Sequence, residues 1–150
     1  MNKSATRYVL ALAATTLLPG LILAQPAPIA TVDTNMKATA EMTECKRKDG
    51  VLTIKVRFKA TAESKIELPY KDTFVMDVAG AKKYEVLRDS EGKPLASTGS
   101  YSDKLVENLK SGDTIKIWWK FPAPPAETKT ITFSLPNSEP FEDVPITDAP

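Results

Sequence analysis

Leu52-Thr53-Ile54-Lys55-Val56-Arg57-Phe58-Lys59 is the stretch that decides the fold. Apolar and polar residues alternate without a break. Successive side chains of a strand point to opposite faces, so Leu52, Ile54, Val56 and Phe58 share one buried face. A helix would scatter the same four around its circumference. The stretch is therefore predicted as a strand with one face on a core.

The same period of two recurs on both sides. Upstream, Met36, Ala38, Ala40 and Met42 alternate with Lys37, Thr39, Glu41 and Thr43. Asp49-Gly50 lies between the two strands and supplies the left-handed pair that a tight hairpin needs. Downstream, Ile115, Ile117, Trp119 and Phe121 point inward, and Thr114, Lys116, Trp118 and Lys120 point outward. Ile131, Phe133 and Leu135 mark a last strand. Phe74, Met76 and Val78 are assigned to an inner face, opposite Thr73, Val75 and Asp77. Residues 84–88 read as a strand, turned by Ser90-Glu91-Gly92-Lys93 into a weaker partner at 94–98. Pro94 puts that partner at an edge. Residues 102–110 fit either a helix or a short strand. The result is seven or eight short strands spaced at roughly ten residues, the pattern of an antiparallel β-sandwich. Long helical crossovers are missing, which excludes a parallel α/β sheet.

Lys3 and Arg7 precede an apolar run over residues 8–23, broken by Thr15, Thr16, Pro19 and Gly20. Gln25-Pro26-Ala27-Pro28 follows. This predicts a secretory signal peptide over residues 1–24, cut after Ala24, and hence a periplasmic or secreted protein. A spanning helix wants about 20 apolar residues, and Pro19-Gly20 interrupts this run. A lipid anchor would need a cysteine at the cut, where Gln25 stands. No second apolar segment follows, so no membrane span is expected after cleavage. Residues 25–32 read as an extended linker, residues 33–146 as the sandwich and residues 147–150 as a tail.

The leader holds two of the 20 basic residues and none of the 19 acidic ones, so 18 basic face 19 acidic residues without it. Near-neutral charge argues against nucleic acid as a partner. There is no histidine. That removes Ser-His-Asp and Cys-His catalysis and most zinc and copper sites. The single cysteine, Cys45, cannot form an internal disulfide. It is either a buried small apolar residue or a free thiol able to pair between chains.

Leu109-Lys110-Ser111-Gly112-Asp113, leading into a strand that closes on Phe121-Pro122, resembles small exported bacterial immunoglobulin-like domains. That group includes the mycobacterial immunoprotective extracellular protein. Tyr84-Glu85-Val86-Leu87-Arg88-Asp89-Ser90-Glu91-Gly92-Lys93-Pro94-Leu95 carries a narrower resemblance. So do Trp119-Lys120-Phe121-Pro122-Ala123-Pro124-Pro125 and Pro140-Phe141-Glu142-Asp143-Val144-Pro145-Ile146. These segments are similar to envelope proteins in which such a domain precedes an outer-membrane-protein-A-like domain. The resemblance implies an immunoglobulin-like antiparallel β-sandwich in the cell envelope. Pro150 falls where the peptidoglycan-binding domain would begin, so peptidoglycan binding is not implied, and no catalytic residues carry over.

Three residues stand out as candidate binding groups: Trp118, Phe141 and Tyr101. Trp118 lies between Lys116 and Lys120 on the outward positions of its strand. It is either an exposed partner anchor or a residue covered by a tail that folds Phe141 and Ile146 over it. Tyr101 sits in the small polar loop Ser97-Thr98-Gly99-Ser100-Tyr101-Ser102, of the kind that can enter an enzyme cleft. Ser90-Glu91-Gly92-Lys93 matches a Ser-x-x-Lys signature only formally, because that chemistry needs a helix start. Glu139, Glu142, Asp143 and Asp148 lack the spacing of a calcium loop. Met36, Met42 and Met76 fall on positions assigned to the core, not to a copper site. No catalytic residue, metal site or cofactor is expected. The chain reads as a non-enzymatic exported envelope module that binds a protein or cell-wall partner. The alternative is a small periplasmic inhibitor of a hydrolase, acting through the loop at Tyr101.

Overall fold

Eleven strands, mostly alternating, account for nearly all the regular structure of the described residues. A computed structural model describes residues 27–99 and 101–150; the signal-peptide reading of residues 1–24 lies outside them. The strands are β1 (Ala30–Asp33), β2 (Ala38–Lys48), β3 (Val51–Ala60), β4 (Ser64–Pro69), β5 (Phe74–Asp77) and β6 (Lys82–Glu85). They continue with β7 (Lys104–Leu109), β8 (Thr114–Pro122), β9 (Thr130–Ser134), β10 (Phe141–Pro145) and β11 (Thr147–Asp148). One 3-10 turn, Tyr70–Asp72, is the only helical element among the described residues. The fold is an all-β sandwich, with eleven strands where seven or eight were expected.

One sheet runs β1-β2-β3-β8, with β11 also on β2; the other runs β10-β9-β5-β6, and β4 pairs β7 apart from both. The β2–β3 hairpin closes on Asp49 and Gly50 at φ +49° and +76°, the left-handed pair its sequence requires. Ala38, Ala40 and Met42 are buried, as are Leu52, Ile54, Val56 and Phe58, and Ile117, Trp119 and Phe121. Across the core, Phe133 of β9 meets Trp119 at 5.5 Å, Phe121 at 5.8 Å and Phe141 at 6.0 Å between ring centroids. Aromatic rings thus join the two layers. Cys45 is buried as a free thiol, and burial pushes its pKa up to about 12.

The edges of the fold differ from the sequence reading. Ala30–Asp33, expected within or beside a linker, pair antiparallel with β2 at Met42 to Thr39. Thr147–Asp148, expected as tail, pair parallel with Lys46 and Arg47 at the other end of β2. Both additions share one edge of one long strand. A bulge between Met42 and Glu44 shifts the phase of β2, so Cys45 and Arg47 turn inward beyond it. The ambiguous segment is a strand: β7 pairs β4 from Ser64↔Leu109 to Pro69↔Lys104.

The face assigned to residues 73–78 is reversed. Thr73, Val75 and Asp77 are buried, whereas Phe74 and Met76 are half-buried and Val78 is 70% exposed. Local hydrogen bonds explain the reversal. Thr73 Oγ1 donates to the Pro69 carbonyl at 3.1 Å. Asp77 accepts from the Gly80 N–H at 2.9 Å and the Thr128 hydroxyl at 2.7 Å. With partners in place, these polar groups can be desolvated. Met76 is therefore not a core residue. Phe74 is covered from outside by Lys83, whose Nζ lies 4.4 Å from the ring centroid.

Candidate functional site

The alternation of β8 turns Trp119 into the core and Trp118 out of it. Trp119 is fully buried, and Trp118 is 37% exposed. The main chain beneath Trp118 is fixed. Its N–H donates to Ser97 Oγ at 3.0 Å, and its carbonyl accepts from the Ser97 N–H at 2.8 Å. The Ser97 carbonyl in turn accepts from the Tyr70 hydroxyl at 2.8 Å. Residues 87–97 close this edge of β8, with Leu87 N–H on the Lys120 carbonyl and Lys120 N–H on the Leu95 carbonyl, both at 2.9 Å.

Strand register decides what surrounds Trp118. Across β8 and β3, Lys120 lies opposite Thr53, Trp118 opposite Lys55, and Lys116 opposite Arg57. Across β3 and β2, Thr53 lies opposite Lys46, Lys55 opposite Glu44, and Arg57 opposite Glu41. The outer face of these three strands therefore gathers Lys46, Lys48, Lys55, Arg57, Lys59, Lys116 and Lys120. Glu41 and Glu44 oppose them on these strands and Asp33 on the neighbouring β1, with Asp49 and Asp113 in turns at the ends. Both glutamates are engaged: Glu41 Oε2 with Arg57 Nη2 at 2.5 Å, and Glu44 Oε2 with Lys55 Nζ at 3.0 Å. Lys46, Lys48, Lys59, Lys116 and Lys120 make no ion pair among the described residues. A chain of near-neutral composition thus carries a strongly cationic face with one tryptophan on it.

The other candidates fall elsewhere. Phe141 is 1% exposed and stacked on Phe133 at an interplanar angle of 27°. It cannot serve as a contact surface. Its apolar ring filled the core behind β9, a place the sequence had no means to assign. The tail does not cover Trp118 either: Phe141 and the half-buried Ile146 pack on the core. Tyr101 is 52% exposed, with Lys104 Nζ 5.2 Å from its ring centroid.

Ser90 and Lys93 lie in a turn, where the Asp89 N–H donates to the Lys93 carbonyl at 2.9 Å and Lys93 Nζ pairs with Glu91 at 2.6 Å. Asp148 of the acidic tail is bound to Arg47 at 2.6 Å. No group of three or more His, Cys, Asp or Glu side chains among the described residues could hold a metal ion. Two open depressions occur away from Trp118: one of about 720 Å³ around Asn35, Lys37, Glu63 and Asn137, and one of about 610 Å³ along residues 82–88.

Sequence reasoning placed Trp118, Lys116 and Lys120 on one strand face but missed the wider lysine surface. Its members Lys46 and Lys48 lie beyond the bulge of β2, and adjacency of β2, β3 and β8 is a tertiary fact. Arg47 was missed altogether, although it is the best-connected polar side chain of the core. No protein-family model, curated protein or solved structure matches the chain.

Proposed function

We propose that this chain is a non-enzymatic exported module that binds a protein or cell-envelope component through the outer face of β2, β3 and β8. The observation that carries the reading is Trp118, exposed at 37% on a rigid strand and flanked by uncompensated lysines. Tryptophan offers large contact area with few rotatable bonds, and it dominates interfaces when it sits on a fixed scaffold. The resemblance of residues 84–95 and 119–125 to exported immunoglobulin-like envelope domains supports the compartment.

Retention assays with envelope extract and isolated cell walls test this reading. The protein is expected to retain a component that Trp118→Ala loses, and to turn over no hydrolase substrate. Equal retention by the Trp118→Ala variant, or measurable turnover, would overturn it.

A second reading rests on Tyr101, the most exposed aromatic among the described residues at 52%. There the protein inhibits a hydrolase by inserting the Tyr101 loop. Inhibition abolished by Tyr101→Ala and untouched by Trp118→Ala would favour it.

A further inference from the structure

We infer that the Trp118 face docks on the surface of an anionic lipid bilayer. The inference rests on the reading of this face as the binding surface and names its partner. Four features of the face point to lipid.

The first is charge. Lys46, Lys48, Lys59, Lys116 and Lys120 stand on one side of the molecule and make no ion pair among the described residues, although Asp33, Asp49 and Asp113 lie at the margins of the face. Each lysine close to an anionic membrane raises affinity by roughly fivefold. Their fields add, because all are borne by adjacent strands about 5 Å apart.

The second is the kind of cation. Arg57 is the only arginine of the seven, and its guanidinium is engaged by Glu41. The uncompensated groups are all lysines, which act as mobile point charges and not as planar forks for a particular carboxylate. Such groups suit a field of headgroups better than one acidic side chain.

The third is the aromatic. An indole between lysines is the chemistry of the membrane–water interface, where tryptophan rests at headgroup depth. A protein interface would instead surround its tryptophan with apolar residues and deplete lysine. Here Lys116 and Lys120 flank Trp118 along the strand and Lys55 faces it across β3.

The fourth is shape. The face is the outer surface of a sheet, and neither of the two depressions described above is lined by Trp118 or by its flanking lysines. A flat partner fits it, whereas an acidic peptide or a single nucleic-acid strand would want a groove.

Vesicle flotation tests the inference, using the protein as the cell produces it and every variant at the same N-terminus, checked by mass. The probes are phosphatidylcholine vesicles with and without phosphatidylglycerol, and soluble polyglutamate. The protein is expected to float only with phosphatidylglycerol, and to be released by salt. Trp118 emission should shift to the blue on binding, while the buried Trp119 contributes no change. Lys116→Gln with Lys120→Gln should weaken binding by about 25-fold, and Lys71→Gln, in the 3-10 turn between β4 and β5, should leave it unchanged.

Equal flotation with both vesicles, flotation with neither, or binding indifferent to the Lys116 and Lys120 changes would overturn the lipid assignment. Retention by polyglutamate without flotation would replace it with an acidic protein partner and leave the Trp118 face as the binding surface. If Trp118→Ala also retains every envelope component, the surface itself is wrongly assigned.

Discussion

Arg47 and Asp148, 101 residues apart in sequence, meet in a two-point ion pair, Nε to Oδ1 at 2.6 Å and Nη2 to Oδ2 at 3.1 Å. The same guanidinium donates to the carbonyls of Pro125 at 2.5 Å, Pro124 at 3.2 Å, and Thr128 and Ala126 at 3.3 Å. One side chain therefore ties the proline-rich connection and the last strand to β2. Arg47 is nearly buried, while the carboxylate of Asp148 remains half in solvent.

Arg47→Met is expected to cost about 2–4 kcal/mol, since it leaves several carbonyls without their charged donor. Asp148→Ala should cost less, because the guanidinium keeps its carbonyl partners and the exposed carboxylate is screened by solvent. Urea unfolding of the two variants checks the order. Equal losses would show that the ion pair, not the carbonyl clamp, holds the segment.

The neighbouring tryptophans should behave oppositely. Trp119→Ala removes a fully buried side chain and is expected to cost about 3–5 kcal/mol. Trp118→Ala truncates an outward side chain that is 37% exposed and should cost less, about 1 kcal/mol. Trp119→Phe should be milder than alanine. It refills much of the volume and removes Nε1–H, which has no partner among the described residues; burying such a donor costs about 1–3 kcal/mol. Thermal unfolding of the three variants distinguishes them.

Asp77 gives an acid limb to stability. The Gly80 N–H, then the Thr128 hydroxyl, hold its carboxyl below the usual carboxylate range. Asp148 is likewise lowered, chiefly by its hydrogen bond from Arg47. A carboxylate whose pKa is depressed by folding contributes fully above its unfolded pKa. That contribution is lost as pH falls through the folded value. Stability should therefore hold at neutral pH and decline in the acid range. Asp77→Asn should flatten that decline while lowering stability at pH 7. Denaturant titrations at several pH values measure both effects. Gly80→Ala should reproduce the neutral-pH loss, because a Cβ there would lie 2.7 Å from Asp77 Oδ2.

Cys45 should report unfolding. Its thiol is buried, with burial and then Glu44 opposing ionisation and Arg47 favouring it, at about 12. Thiolate is the reactive form. The native protein should resist an aromatic disulfide reagent at mildly alkaline pH, and labelling should follow global unfolding in urea. Prompt labelling of native protein would show that Cys45 is reached by local opening.

The long alternating runs can be read directly from the order of residues. Residues 52–59 and 114–121 bury one face whatever their neighbours, because period two leaves a single way to shelter four large apolar side chains. Asp49-Gly50 likewise specifies its hairpin, since both residues accept positive φ. Tertiary structure decided wherever a local pattern was balanced or a partner lay far away. Thr73 and Asp77 went inside because Pro69, Gly80 and Thr128 satisfy them. Phe141 entered the core because Phe133 was there to receive it. Ala30–Asp33 and Thr147–Asp148 became strands only because β2 offers them one long edge. The cationic face has the same origin. Alternation turns each lysine outward, but only the register of β2, β3 and β8 sets those lysines around Trp118, where their charges add.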